Sequence, residues 1–167
     1  MAVLPDVLAS GLDIVFCGSA VGPESFRQQA YYAHKRNKFW PTLFAVGLTP
    51  LLLAPREYRR VLEFGIGLTD LAKHRHGMDS VLAAADYDAE ALERKLRRYR
   101  PRALAFVGKK PGAAFFRRRF QRDVTAFGQQ PERIDATALF VLPSPSPANP
   151  ANWDLGPWQA LAAYLRK

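Results

Sequence analysis

The residues best suited to chemistry lie between positions 15 and 40, where an apolar segment enters a loop of small residues and then a run of aromatic, amide and basic side chains. Gly18 and Gly22 bound the loop, and Tyr32, His34 and Asn37 follow it. In α/β proteins such a transition places backbone N–H groups and loop side chains at the carboxyl end of the sheet, where ligands bind. We therefore predict a site for a flat ligand close to phosphate.

Residues 18–40, here called motif A, resemble the first motif of the uracil-DNA glycosylase superfamily. The resemblance is closest to the mismatch-specific uracil and thymine-DNA glycosylase branch, with its pattern G-I-N-P-G, a spacer, a stacking aromatic and N-x-F-W. The segment YYAH-x-x-N-x-FWP over residues 31–41 is more similar to the hypoxanthine-DNA glycosylases of the same superfamily. Both resemblances imply hydrolysis of the bond between a base and its deoxyribose, through an oxocarbenium-like sugar. The matching residues are Gly18, Gly22, Asn37, Phe39 and Trp40.

The resemblance implies roles for individual side chains of motif A. Tyr32 stands where the family keeps the aromatic residue that stacks on the flipped-out base; the alternative is a core aromatic, with Tyr31 as its core partner. Asn37 is our predicted catalytic residue. His34 is the second candidate, because histidine is a frequent general acid or base, and a structural histidine is the alternative. The predicted base-binding set is Gly18, Ser19, Ala20, Gly22, Gln29 and Tyr32.

Ala20 is the clearest departure from the family, which usually has an activating Asn or Asp two residues after the first glycine. Alanine can neither accept a proton nor orient water. Three interpretations stay open: the activity is lost, another residue has taken over, or stabilisation of the leaving base is enough. The hypoxanthine branch also lacks this residue and is thought to use the asparagine that corresponds to Asn37, which is why we favour Asn37. Asp70, in a segment similar to the family's G-x-T-x-L, is either a site residue or a helix cap.

A second loop, here called motif B, covers residues 144–149 and follows the apolar segment at residues 138–142. The family has N-P-S-G-L-S-R or M-P-S-S-S-A-R there, whose serines bind phosphates while Leu and Arg fill the space left by the base. Pro145 and Ser146 agree with that pattern, whereas Ala148 replaces the leucine wedge and the arginine has no counterpart. Gly108 and Lys109 match the family's G-K. The predicted DNA-binding set is Lys109, Ser144, Pro145, Ser146, Ala148 and Asn149.

Short apolar segments alternate with helical patterns along the chain. Residues 13–17, 103–107 and 138–142 are near-continuously apolar, which is typical of buried parallel strands. Residues 37–46, 88–99 and 157–167 place apolar side chains at helical spacing. Strands that alternate with helices imply crossover connections. We predict one domain over residues 1–167, a three-layer α/β/α sandwich with a short, mostly parallel central sheet.

Composition narrows the function classes. The 24 Lys and Arg against 15 Asp and Glu give a net charge of +9, concentrated at residues 94–102, 109–110 and 116–122. This balance favours a polyanionic partner, and the alternative is a solvated helix face. A single cysteine, Cys17, excludes the iron–sulfur branches of the superfamily, which need four cysteine ligands. We expect no metal and no cofactor. No leader-like segment and no long apolar run appears, so we expect a soluble, cytoplasmic monomer that does not bind membranes.

We therefore predict a monofunctional DNA glycosylase of base-excision repair that removes uracil, with hypoxanthine and xanthine as further substrates, from single- or double-stranded DNA. One alternative is a non-catalytic protein that binds damaged or single-stranded DNA on the same scaffold. A second alternative is a basic α/β protein that binds RNA or an acidic protein.

Overall fold

A computed structural model describes residues 3–77, 82–148 and 150–167 of the chain. Five strands form one sheet. They are β1 (Ile14–Gly18), β2 (Ile66–Asp70), β3 (Ala103–Val107), β4 (Gly128–Ile134) and β5 (Thr137–Leu142).

The order of the strands across the sheet is β2-β1-β3-β5-β4. Strands β2, β1, β3 and β5 are parallel to one another. Within β1, Phe16 is paired with Leu68 of β2 on one side and with Ala105 of β3 on the other. Only β4 runs antiparallel, along the edge of β5. The chain leaves β1 towards β2 on one side and later returns to β3 on the other. A crevice is expected outside the carboxyl ends of strands at such a reversal of strand order.

Helices cover both faces of the sheet and give the three layers that the sequence predicts. The helices are α1 (Pro23–Gln28), α2 (Phe39–Ala45), α3 (Ala89–Tyr99), α4 (Lys109–Phe120) and α5 (Gly156–Leu165), and 3-10 helices lie at Pro55–Phe64, Ala84–Asp86 and Pro150–Asn152.

Side chains alternate between the two faces of β1 and so define two hydrophobic cores. Phe16 points into the first core with Trp158 of α5 and with the buried residues of α2. Cys17 points into the second core with Leu96 of α3 and Phe116 of α4. Period-two alternation of a strand that is buried on both faces explains why every residue of β1 is buried and apolar or small.

The predicted fold class is confirmed, and the three apolar segments are β1, β3 and β5. The predicted helices are α2, α3 and α5, with ends that differ by one or two residues. The sequence analysis did not identify β2, β4 or α4. In α4, Pro111 lies in the first turn, where a missing N–H leaves no helical hydrogen bond unmade. Among the described helices, none is long and apolar enough to cross a membrane.

Candidate functional site

A cleft of about 690 Å³ opens at the carboxyl edge of the sheet. It collects the ends of β1, β2 and β3, the loop after β1, the segment before α2, and motif B after β5. Its lining residues from motifs A and B are Gly18, Ser19, Ala20, Val21, Gly22, Pro23, Glu24, Ser25, Tyr31, Tyr32, His34, Arg36, Asn37, Ser144, Pro145, Ser146, Pro147 and Ala148; Leu4, Asp70, Gly77 and Val107 complete it.

Most of the predicted site residues therefore meet in one place. Gln29 does not line the cleft: it lies exposed at the C-terminus of α1, and its side chain donates to the carbonyl of Phe26. Lys109 is exposed at the first position of α4 and does not line the cleft either. Asn149 lies outside the described residues.

The loop after β1 is held by the chain that follows β2. The backbone N–H of Leu71 donates to the carbonyl of Gly18, at 2.8 Å, and the N–H of Gly77 donates to the carbonyl of Val21, also at 2.8 Å. Gly18 itself is tightly enclosed, because a Cβ there would lie 3.0 Å from Asp70 Oδ1 and 3.1 Å from the Tyr32 hydroxyl oxygen. Any larger residue at position 18 would displace one of these two polar groups.

Tyr32 belongs both to the core and to the cleft. Its ring stacks on Phe39, with centroids 4.0 Å apart and planes 24° apart, and Phe39 is fully buried. The backbone of Tyr32 is left-handed, with φ of 52°. The residue stays partly exposed, while its hydroxyl is buried and has no hydrogen-bond partner among the described residues. Burial raises the pKa of this phenol, so it is a neutral group that can donate or accept.

Tyr31 is a core residue, as expected of the partner of Tyr32. It is buried, and its hydroxyl donates to the carbonyl of Pro5 at 3.1 Å. The same oxygen accepts a hydrogen bond from Lys73 Nζ at 2.8 Å. Both polar functions of Tyr31 are therefore used within the protein.

Asn37 and His34 lie in the turn that leads into α2. Asn37 Oδ1 accepts the backbone N–H of Phe39 at 2.9 Å, and the N–H of Asn37 donates to the carbonyl of His34. His34 Nδ1 accepts the N–H of Arg36 at 3.1 Å, which in the neutral ring leaves the proton on Nε2. The Asn37 amide NH₂ can donate two hydrogen bonds, and it is the part of this side chain that a ligand in the cleft would use.

Motif B is folded by its own hydroxyl groups. Ser144 Oγ accepts the N–H of Ser146 and Ser146 Oγ accepts the N–H of Ala148, both at 3.2 Å. The Lys38 N–H donates to the carbonyl of Pro145 at 3.0 Å, which joins motif B to motif A. A hydroxyl that accepts a backbone bond keeps its proton for donation, so both serines can donate to phosphate.

Asp70, which the sequence analysis left open between a site residue and a helix cap, lines the cleft. It ends β2, paired with Gly18, and does not cap a helix. The residue is only 5% exposed. Burial raises the pKa of its carboxyl, and Asp6 raises it further, while Lys73 opposes the rise. Lys73 Nζ lies 3.5 Å from Asp70 Oδ2 and 3.1 Å from Asp6 Oδ1, so Asp70 is one end of a buried ion network.

The two long basic runs lie away from the cleft. α3 ends just before β3 begins, so residues 94–102 lie towards the amino edge of the sheet, and residues 116–122, at the end of α4, do not line the cleft. Their arginines pair with carboxylates: Arg97 with Glu93 at 2.6 Å and Arg118 with Glu90 at 2.8 Å. The alternative of solvated helix faces therefore fits these runs better than a DNA face. Among the described residues, Arg36 is the one arginine or lysine that lines the cleft.

The comparisons with known proteins agree with this geometry. The chain matches the model of the uracil DNA glycosylase superfamily over residues 5–165. It is also similar to the solution NMR structure of a candidate uracil DNA glycosylase from Methanosarcina acetivorans, with a TM-score of 0.66 and 25% sequence identity over 98% of this chain and 97% of that chain. Members of the superfamily act on DNA, which supports DNA as the partner and glycosylase activity in general. The chain belongs to the uracil DNA glycosylase superfamily.

Proposed function

We propose that the protein is a monofunctional DNA glycosylase that excises deaminated bases, uracil first and then hypoxanthine and xanthine, and leaves an abasic site. The observation that carries this proposal is the meeting of Tyr32, Asn37 and the two serines of motif B in one cleft at the carboxyl edge of the sheet. Together they offer a flat surface, a hydrogen-bond donor and phosphate ligands in one place. A base flipped out of the stack needs all three.

Recognition of the base follows from the Asp70 carboxylate, while Tyr32 contributes the face of its ring. Asp70 lines the cleft, and its Oδ1 lies 3.0 Å from the position that a Cβ of Gly18 would take. The carboxylate accepts an N–H. Uracil offers this N–H at N3, beside O4, and hypoxanthine and xanthine offer it at N1, beside O6.

Cytosine and adenine present the reverse pattern, with a bare ring nitrogen beside an amino group. The ring nitrogen would place its lone pair against the Asp70 carboxylate, and one buried polar group would be left unpaired, which typically costs about 1–3 kcal/mol. The carboxylate therefore selects the edge that deamination creates. Thymine and guanine share that edge, so their methyl and amino groups must be excluded by other parts of the cleft.

The reaction that we propose breaks the C1′–N bond with its electron pair leaving on the base. The Asn37 amide donates to the base as negative charge develops there, and this stabilisation takes effect in the transition state. Water then adds to C1′ of the oxocarbenium sugar and loses its proton, which gives the abasic site. No lysine lines the cleft within the described residues, which favours hydrolysis over a Schiff-base lyase.

The experiment is a single-turnover assay on oligonucleotides that carry uracil, hypoxanthine, xanthine, cytosine or adenine at one position. Each is tested as a single strand and as a duplex, and alkali reveals abasic sites. We expect product from the three deaminated bases and none from cytosine or adenine. Arg118→Ala is the matched control, because this exposed arginine does not line the cleft and its loss should leave the rate unchanged. Absence of product from every substrate refutes the proposal.

A second candidate, a non-catalytic protein that binds damaged DNA, is favoured by two observations. Ala20 supplies no activating group, and the oxygen of Asn37 is already used by the backbone of Phe39. Binding of uracil-containing DNA without any turnover, in the same assay, would support this candidate over the enzyme.

A further inference from the structure

Two exposed rings stack face to face beside the cleft. The centroids of Phe26 and His76 are 3.9 Å apart and their planes differ by 1°. Phe26 keeps 41% of its surface exposed even though His76 covers part of it, and His76 is exposed as well. Neither ring belongs to the two hydrophobic cores. The pair is therefore a preformed stack of rings on the protein surface, open to a further flat group.

The position of the stack is fixed relative to the cleft. Phe26 directly follows Ser25, and His76 directly precedes Gly77, and both of these neighbours line the cleft. A β-bridge joins Val21 to His76, and the Gly77 N–H donates to the carbonyl of Val21 at 2.8 Å. The loop that lines the cleft thus also holds the stack, at the rim.

The charges beside the stack suit a nucleic acid backbone. Arg27 and Arg75 follow and precede the two rings in the chain, and their side chains are 71% and 58% exposed. They pair on the surface with Glu24 and Asp86, and such exposed pairs are weak and readily exchanged for phosphate. A strand that crosses the rim would find a π-face for a base and two guanidinium groups for its phosphates.

We propose that Phe26, backed by His76, is a stacking platform for the unpaired base next to the target nucleotide. The platform compensates for motif B, where Ala148 has no large apolar group to insert into the DNA. A neighbouring base that stacks on Phe26 is held out of its duplex stack, so the strand stays open at the target. The proposal rests on the proposed function for the identity of the strand, and it predicts tighter binding of single strands than of duplexes.

The test uses single-stranded oligonucleotides with 2′-fluoro-2′-deoxyuridine at the target, which resists hydrolysis, and 2-aminopurine on its 5′ or its 3′ side. Binding is titrated by the change in 2-aminopurine emission and by anisotropy. For one of the two positions, we expect Phe26→Ala and Phe26→Leu to abolish the emission change and to raise Kd by about tenfold. His76→Phe, which keeps a backing ring, should retain both the emission change and the affinity.

Phe44→Ala and Phe127→Ala are matched controls, because these residues are 48% and 39% exposed but do not line or flank the cleft. They should bind as the parent does. Phe26→Leu keeps apolar bulk, so a loss of binding in this variant with an unchanged melting temperature reports the ring alone. Parent-like affinity and emission in both Phe26 variants, or equal losses in the controls, overturn the platform. Absence of excision by a parent protein that binds overturns only the proposed function.

Discussion

Substitution of Asn37 separates its structural role from its chemical one. Asn37 Oδ1 accepts the Phe39 N–H at 2.9 Å, at the start of α2, and its NH₂ group remains for the substrate. Asn37→Ala removes both functions, whereas Asn37→Asp keeps an oxygen for the Phe39 N–H and removes only the donor. The two variants therefore differ in the helix-start hydrogen bond and agree in lacking the amide.

The magnitudes follow from the two roles. Loss of a hydrogen bond at the start of a helix typically costs about 1 kcal/mol, so Asn37→Ala should melt a few degrees below the parent and Asn37→Asp should melt close to it. Loss of one positioned group that acts on the transition state typically costs about 10²-fold in rate or more. Both variants should lose about that factor, because both lack the donor that stabilises the departing base.

The assay is single-turnover excision of uracil, with thermal unfolding measured on the same samples. An Asn37→Asp variant that matches or exceeds the parent rate would show that the oxygen orients water and that the donor role is wrong. A loss of less than tenfold in Asn37→Ala would move the catalytic role to His34. The hydrogen bond of this side chain within the turn uses Nδ1 and leaves Nε2 for a ligand.

Four further predictions concern the same cleft. Tyr32→Phe should leave the rate of uracil excision and the melting temperature close to those of the parent, because it keeps the stacking ring and removes only a buried hydroxyl that has no partner among the described residues; a large loss of stability would show that the hydroxyl is structural. Because burial raises the pKa of Asp70, the excision rate should rise as the pH rises through that pKa and the carboxylate forms, and this rising limb of the pH–rate profile should be absent in Asp70→Asn. The stability that Asp70 contributes changes in the opposite direction: it is fully present below the pKa of the unfolded state and is lost as the pH rises through the raised pKa of the folded state. Arg36→Ala should reduce the salt slope of DNA binding by about one, and Arg118→Ala should leave it unchanged; the reverse result would restore the basic runs as the DNA face. Ala148→Leu should slow multiple turnover on duplex DNA with an unchanged single-turnover rate, because a wedge prolongs the product complex; a parent protein that already shows a burst and strong inhibition by abasic duplex would refute this interpretation of motif B.

Hydrophobic pattern predicted the strands at the centre of the sheet but not those at its sides. β1, β3 and β5 are continuous apolar runs, as strands buried on both faces must be. β2 is buried too, but it contains Gly67 because a Cβ there would lie 2.8 Å from the carbonyl of Val7 and from the Leu12 side chain. β4 is an edge strand whose residues alternate in burial and include Pro131, so its composition is that of a turn. The sequence of β2 therefore depends on a contact from a distant segment, and β4 is a strand because it pairs with β5.

Motif matching predicted most of the motif residues that line the cleft, and their functions stay predictions. Tyr32, Asn37 and the serines of motif B do line one cleft, since parallel strands bring their following loops to one edge. The sequence analysis left Asp70 open between a site residue and a helix cap. Its place in the cleft depends on β2 lying beside β1, which the sequence around it does not show. The charge count could not locate the cleft either, because it records the number of arginines and not which of them line it.

The two departures from the family, Ala20 and Ala148, fit a single strategy. In the mechanism that we propose, no group at Ala20 activates water, so the rate comes from stabilising the departing base, and that stabilisation depends on a base held firmly against Tyr32, Asp70 and Asn37. Without a wedge at Ala148, the enzyme cannot hold that base out of an intact duplex for long, because the unstacking cost is only partly offset. Bases that are already unpaired avoid this cost. We therefore expect a chain with both alanines to excise bases from single strands and from frayed or mismatched sites, and its rate on duplex DNA should increase as the local pairing weakens.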